Sequence, residues 1–274
     1  MGFSVPTLEQ VRDFWERNPV CDRVITSRKT WYDYFHEFDK RRELAEPYEF
    51  ANPIFGYEGS AGKKVLDYGC GNGYVLSQYA KNGAKVYGVD IAQRAIELSA
   101  ARFRTMNLEG AFVQNDGLTI PFETGLFDIA CSMGVLHHVP DPVPVIKELR
   151  RVLKPGGEII VMMYHRNSVR YHLVYRWRKY FDPYYRGKSI QQIVNMTDGK
   201  GNPLGTVYTP RELESLLADF EGHTFFINKL GAEELLIFLP VMREAFAHML
   251  PRRFVSFLAR RVGWNLYCVA HKAG

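Results

Sequence analysis

The chain has 274 residues, of which 46% are hydrophobic, 14% aromatic and 24% charged, the profile of a folded globular protein and not of a disordered, collagenous or disulfide-scaffold one. Lys and Arg number 35 against 30 Asp and Glu, and a net charge of +5 is too mild to make nucleic acid the expected partner. The cysteines Cys21, Cys70, Cys131 and Cys268 lie far apart with no C-x-x-C pair, so neither a zinc site nor a disulfide framework is expected, and a cytoplasmic location is. No apolar run reaches the roughly 18 residues of a membrane helix, the longest being Leu235 to Met242, and the N-terminus lacks a signal-peptide pattern.

Thr7 followed by Gln10 is a capping-box pattern, and Val11, Phe14 and Trp15 form an apolar stripe that Pro19 ends. A second helix is expected from about Lys29 to Leu44, rich in aromatic residues that are expected to pack as core. Residues 1–62 therefore read as a helical cap. From Lys63 the texture changes to short β-branched runs alternating with helical spans, the pattern of βα units on a parallel sheet. Strands are expected at Lys64 to Asp67, Lys85 to Val89, Ala111 to Gln114, Phe127 to Ser132 and Glu158 to Met163. Helices fall at Tyr74 to Asn82, Ala92 to Met106 and Val143 to Leu153, the last ended by Pro155-Gly156-Gly157. A helix near Pro210 to Asp219 and strands at His223 to Lys229 and Asn265 to His271 complete the pattern. The expected architecture is a doubly wound, mostly parallel α/β sheet over residues 63–274, with insertions at about 165–208 and 230–264.

Chemistry concentrates in the loops after the strands. Gly69, Gly71 and Gly73 occupy alternate positions between the first strand and its helix, letting a ligand approach backbone, and the helix start suits an anionic group. A dinucleotide site would want glycine at Tyr74, which weakens a nicotinamide reading. Asp90, seventeen positions after Gly73 and followed by Ile91, is placed to accept from both hydroxyls of a ribose. Asp116-Gly117 offers an acid to an adenine amino group, and the fourth strand ends in Met133-Gly134-Val135-Leu136-His137-His138. In an open parallel sheet such loops converge on one crevice.

Taken together, Val65 to Gly73, Asp90, Asp116, Phe127 to Val139 and Leu149 to Gly157 resemble, in order, the motifs of the class I S-adenosylmethionine-dependent methyltransferases. The resemblance implies a Rossmann-like, seven-stranded sheet and S-adenosylmethionine as cofactor. It places Asp67, Gly69, Cys70, Gly71, Gly73, Asp90, Ile91, Asp116, Gly117 and Met133 around that cofactor. No metal is expected.

Methyl transfer is an in-line displacement that asks the protein mainly for positioning. A hydroxyl acceptor also needs a base, for which His138 and His137 are the candidates, with Tyr164 and His165 at the end of the fifth strand as further ones. The expected substrate is a small molecule with a hydroxyl: a sugar, a lipid-linked compound or a secondary metabolite. The rival readings are a cofactor-binding scaffold without turnover and an RNA methyltransferase. Asp182-Pro183-Tyr184-Tyr185 is a false match to the D-P-P-Y motif of nucleic-acid amino methylases, which belongs after the fourth strand. Seven Lys/Arg against one acid between Tyr164 and Ile190, and Arg252, Arg253, Arg260 and Arg261 further on, are expected to form a solvated basic surface over an apolar core, the alternative being docking on anionic lipid or an acidic substrate.

Overall fold

The computed structural model describes residues 5–20, 22–27, 29–231, 234 and 251–274. Helix α1 (Leu8–Arg17) starts at the expected box, with Thr7 accepting from the Gln10 amide and Gln10 answering to the Thr7 amide. Helix α2 (Trp31–Ala45) repeats the device with Thr30 and Asp33. It buries Tyr34, Phe35 and Phe38 against Leu98 and Ala101, while Trp31 and Tyr32 stay exposed. Helix α3 (Tyr48–Phe55) carries Pro53 near its end and closes on Gly56 in the left-handed region. The sequence reading has no separate helix there.

The sheet follows the βα alternation. Strands β1 (Lys64–Tyr68), β2 (Lys85–Asp90), β3 (Ala111–Gln114), β4 (Phe127–Met133) and β5 (Leu153–His165) are parallel. Helices α4 (Tyr74–Lys81), α5 (Gln93–Thr105) and α6 (Val143–Val152) connect them. After β5 the chain forms a π-turn, α7 (Tyr175–Phe181) and α8 (Ile190–Asn195). It then runs through β6 (Val207–Tyr208), α9 (Pro210–Leu216), β7 (Phe220–Asn228), α10 (Arg252–Val262) and β8 (Asn265–Lys272). Strand order is β3-β2-β1-β4-β5-β8-β7, with β8 antiparallel to both its neighbours. The order reverses direction of growth at β1, which puts the carboxyl ends of β1, β2 and β4 around one crevice.

Three differences from the expected elements have local causes. Beyond the seven-strand path, β6 adds a parallel pairing to β5 at Tyr164 and His165. Strand β5 starts at Leu153 and not after the glycines, because Leu153 pairs with Phe127 across a register shift that accommodates Pro155 and Gly156. Strand β7 starts at Phe220 because Gly222, at φ +69°, takes up a similar shift instead of ending the strand. Two apolar layers cover the sheet. One is built from α6, α9 and the strands, with Leu149, Leu213 and Phe127 fully buried; the other joins α3 and α4 through Phe55, Leu76 and Tyr79.

The segment after β5 packs around a core of its own, Tyr164, Val174, Tyr175, Ile193, Val194, Val207 and Trp264. Its basic residues lie over aromatic rings, Arg178 over Tyr185, Lys179 over Tyr180 and Lys188 over Tyr184. Asp182 caps a short turn by accepting from the Tyr184 amide, a structural task. Most of the expected second insertion, including Leu235 to Met242, and Cys21 lie outside the described residues. Among those described, no helix is long and apolar enough to cross a membrane.

Candidate functional site

A crevice opens at the carboxyl ends of β1, β2 and β4, where open α/β sheets bind ligands. Of the residues expected to bind cofactor, it is lined by Asp67, Gly69, Cys70, Gly71, Asp90, Ile91, Gly117 and Met133, and also by His138. The cap supplies its outer wall through Leu8, Val11, Trp15, Phe38 and Arg42.

The glycine loop is shaped by backbone geometry. Gly69 sits at φ +78°, and a Cβ there would meet Val135 at 2.3 Å, so only glycine lets β1 and the loop after β4 approach. Its amide and that of Cys70 donate to Val89 O at 2.8 and 3.0 Å, and the Gly71 amide donates to Asp90 Oδ2 at 3.0 Å. The loop thus spends these amides on β2 and Asp90. Gly73, at φ +75°, is the N-cap of α4 and faces Ser99, away from the crevice wall.

Asp90 accepts from Gly71 on one oxygen and from Ala92 at 2.9 Å on the other. Burial pushes its carboxyl up to about 6, against the lowering effect of those amides. Asp67 is buried with Oδ1 lacking a partner, and burial together with the Asp90 charge raises its pKa well above the carboxylate range.

Asp116 does not line the crevice. Its carboxylate accepts from the amides of Leu118 at 2.8 Å and Thr119 at 2.6 Å and from the Thr119 hydroxyl, so it closes its own turn. Against the upward push of burial, those bonds hold it below the usual range. The neighbouring Asn115 lines the crevice instead, with a buried, unpartnered Oδ1 suited to an amino group. Arg42 also lines it. Glu46 holds its guanidinium at 3.0 Å while its buried Nε lacks a partner, and Glu46 is itself fixed by the Tyr267 hydroxyl.

At the other end stand the candidate bases. His138 lines the crevice, with Nδ1 on Leu204 O at 2.5 Å, Nε2 at 3.2 Å from Asp198 Oδ2, and Trp15 edge-on at 5.1 Å. His137 and Tyr164 are buried behind it with their rings 3.8 Å apart, and neither lines the crevice. Burial lowers the His137 pKa well below the imidazole range. Burial raises the Tyr164 hydroxyl, which donates to Asp198. Asp198, a third exposed, is held well below its usual range by hydrogen bonds from His138 and Tyr164, against the upward push of burial. It comes from the segment after β5, and nothing in its local sequence marks it.

Residues 66–161 match a family model described as a methyltransferase domain. Over those residues the chain resembles a class I S-adenosylmethionine-dependent methyltransferase domain. S-adenosylmethionine is the cofactor of such a domain, and the crevice fits it through orphaned polar atoms on Asp67, Asn115 and Arg42, the buried acceptor Asp90 and the Gly69 cradle. A ubiquinone biosynthesis O-methyltransferase of Vibrio parahaemolyticus is 31% identical over 142 residues, 52% of this chain and 60% of its own length. The chain thus spans about three fifths of the curated relatives it matches. A methyltransferase structure from Methanosarcina mazei aligns with TM-score 0.57 at 24% identity, covering 81% of this chain and 97% of its own. The geranyl diphosphate C-methyltransferase of Streptomyces coelicolor aligns over 98% of this chain and 100% of its own, with TM-score 0.59 and 16% identity. These likenesses show that the methyltransferase domain has the family's Rossmann-like fold.

Proposed function

We propose that the whole protein transfers a methyl group from S-adenosylmethionine to a hydroxyl of a small molecule. The observation that carries this reading is the layout of one crevice, with the ribose acceptor Asp90 at one end and His138 backed by Asp198 and Tyr164 at the other. The names of the curated relatives support oxygen as acceptor.

When bound, the cofactor supplies a sulfonium-activated methyl. Asp90 would hold the ribose hydroxyls, Asn115 the adenine amino group, Asp67 the ammonium and Arg42 the carboxylate of the amino-acid end. That assignment matches each orphaned or buried group to a partner of opposite demand. Trp15 and Val139 give the crevice apolar walls beside His138, which exclude water from the reacting end. The acceptor hydroxyl would be held and lose its proton at the cluster of His138, Asp198 and Tyr164. His138 is the catalytic residue of our choice because, unlike His137 and Tyr164, it faces the crevice.

The test is incubation of the protein with methyl-labelled cofactor and fractionated metabolites, lipids and RNA from its host. Label on a small-molecule oxygen with stoichiometric S-adenosylhomocysteine is expected. Label confined to RNA would overturn the substrate class, and cofactor binding without any S-adenosylhomocysteine would establish the scaffold reading instead.

A further inference from the structure

His138 and Asp198 face each other at one end of the crevice. His138 Nδ1 lies 2.5 Å from Leu204 O, and its Nε2 lies 3.2 Å from Asp198 Oδ2. That oxygen already accepts from the Tyr164 hydroxyl. Beside them His137 is wholly buried, and neither of its ring nitrogens has a hydrogen-bond partner. A buried polar group without a partner is unfavourable, so His137 lacks a partner that its burial calls for.

We infer that His137, His138 and Asp198 form a binding site for one transition-metal dication such as zinc. Their donor atoms all lie within 4.8 Å of one another. Donors bound at about 2.0–2.2 Å stand roughly 3–4 Å apart around a dication, so a small inward movement of side chains closes the site. Two imidazoles and one carboxylate form the donor set of zinc, iron(II), manganese and cobalt, and not the all-oxygen set of magnesium or calcium. The bond from His138 Nδ1–H to a backbone carbonyl is the arrangement that orients a ligating imidazole and leaves Nε2 for the metal. The site also has a rigid frame. The Thr206 amide donates to His137 O at 2.9 Å, which ties the segment bearing Asp198 to the loop bearing both histidines. No ligand spacing betrays the site in the sequence, because the carboxylate arrives from a different element.

A dication there would sit beside the part of the crevice wall that His138 forms, and would lower the pKa of a hydroxyl brought against it. This consequence rests on the methyl-transfer reading; metal binding itself does not. The test therefore reads binding directly. Protein stripped with a chelator is titrated with cobalt(II), followed by visible absorption and by metal analysis after desalting, and S-adenosylhomocysteine binding is measured separately by calorimetry. One equivalent of cobalt is expected, displaceable by zinc, with affinity at least about tenfold weaker in Asp198→Asn and in His137→Gln. S-adenosylhomocysteine affinity should stay at the wild-type level in both variants, which reports that they are folded. No stoichiometric cobalt at micromolar concentration, or unchanged cobalt affinity in either variant, would overturn the site. Failure to bind S-adenosylhomocysteine at all would strike the methyl-transfer reading and leave the metal result standing.

Discussion

At the scale of single residues, Asp90 joins two demands in one carboxylate. It fixes the glycine loop through the Gly71 amide and presents acceptor capacity to the crevice. With its pKa raised to about 6, the ionised form that accepts from ribose hydroxyls is lost as pH falls below that value. If only this form binds, cofactor affinity measured by calorimetry should be flat from pH 7 to 8 and about tenfold weaker at pH 5, and Asp90→Asn should lose both the affinity and its pH dependence. Gly69→Ala should unfold at lower denaturant and bind cofactor poorly, since the new Cβ meets Val135. Adding Val135→Ala should recover only part of the loss, because φ remains +78°.

At the scale of elements, the cap is held by one buried cation. Arg102 of α5 is fully buried. It donates from Nε to Asn72 O in the glycine loop at 2.8 Å and from Nη1 to Asp39 of α2 at 2.7 Å, with the rings of Phe35 and Phe38 beside it. The same side chain thus couples α2, α5 and the cofactor loop. Arg102→Met should cost about 3 kcal/mol in urea unfolding, the range for breaking a buried pair, and should weaken S-adenosylhomocysteine binding as well. Phe35→Ala, which empties the α2–α5 contact without touching the loop, should cost a comparable 3–5 kcal/mol while affecting cofactor affinity less. If both variants lose affinity equally, the cap acts through packing alone.

At the scale of the whole molecule, the carboxyl end of β5 gathers the late elements. His165 is buried there, its amide donating to Trp264 O at 2.8 Å and its Nδ1 set 3.0 Å from Gly263 O. Burial lowers its pKa below the imidazole value of 6.5 despite that carbonyl. The unfolded chain therefore binds this proton first, and the stability it contributes, full above about pH 6.5, is lost as pH falls through the folded pKa. Asp90 works in the opposite sense, because its raised pKa lets the native state bind a proton first between about pH 6 and 4. His165→Gln should flatten the acid limb of a plot of urea stability against pH below 6.5, whereas Asp90→Asn should steepen the decline below pH 6.

Much of this molecule was legible from local pattern. The Thr7 capping box, the alternation of β1 to β5 with α4 to α6, and the crevice-lining residues Asp67, Gly69, Cys70, Gly71, Asp90 and Ile91 all depend on neighbours within a few positions. Residues whose partners lie far along the chain were not legible. The role of Arg42 emerges only once Glu46 and Tyr267 enclose it, and Asp116 is the expected adenine acid until hydrogen bonds within its own turn claim it and Asn115 lines the crevice instead. Asp198 has no significance until its segment folds back onto His138. The periodicity and turn chemistry of the sequence determine the sheet and the cofactor loop, because those signals are short-range. Which polar groups end up buried without a partner, and so available for chemistry, is settled only by long-range packing that removes water from some side chains and leaves it to others.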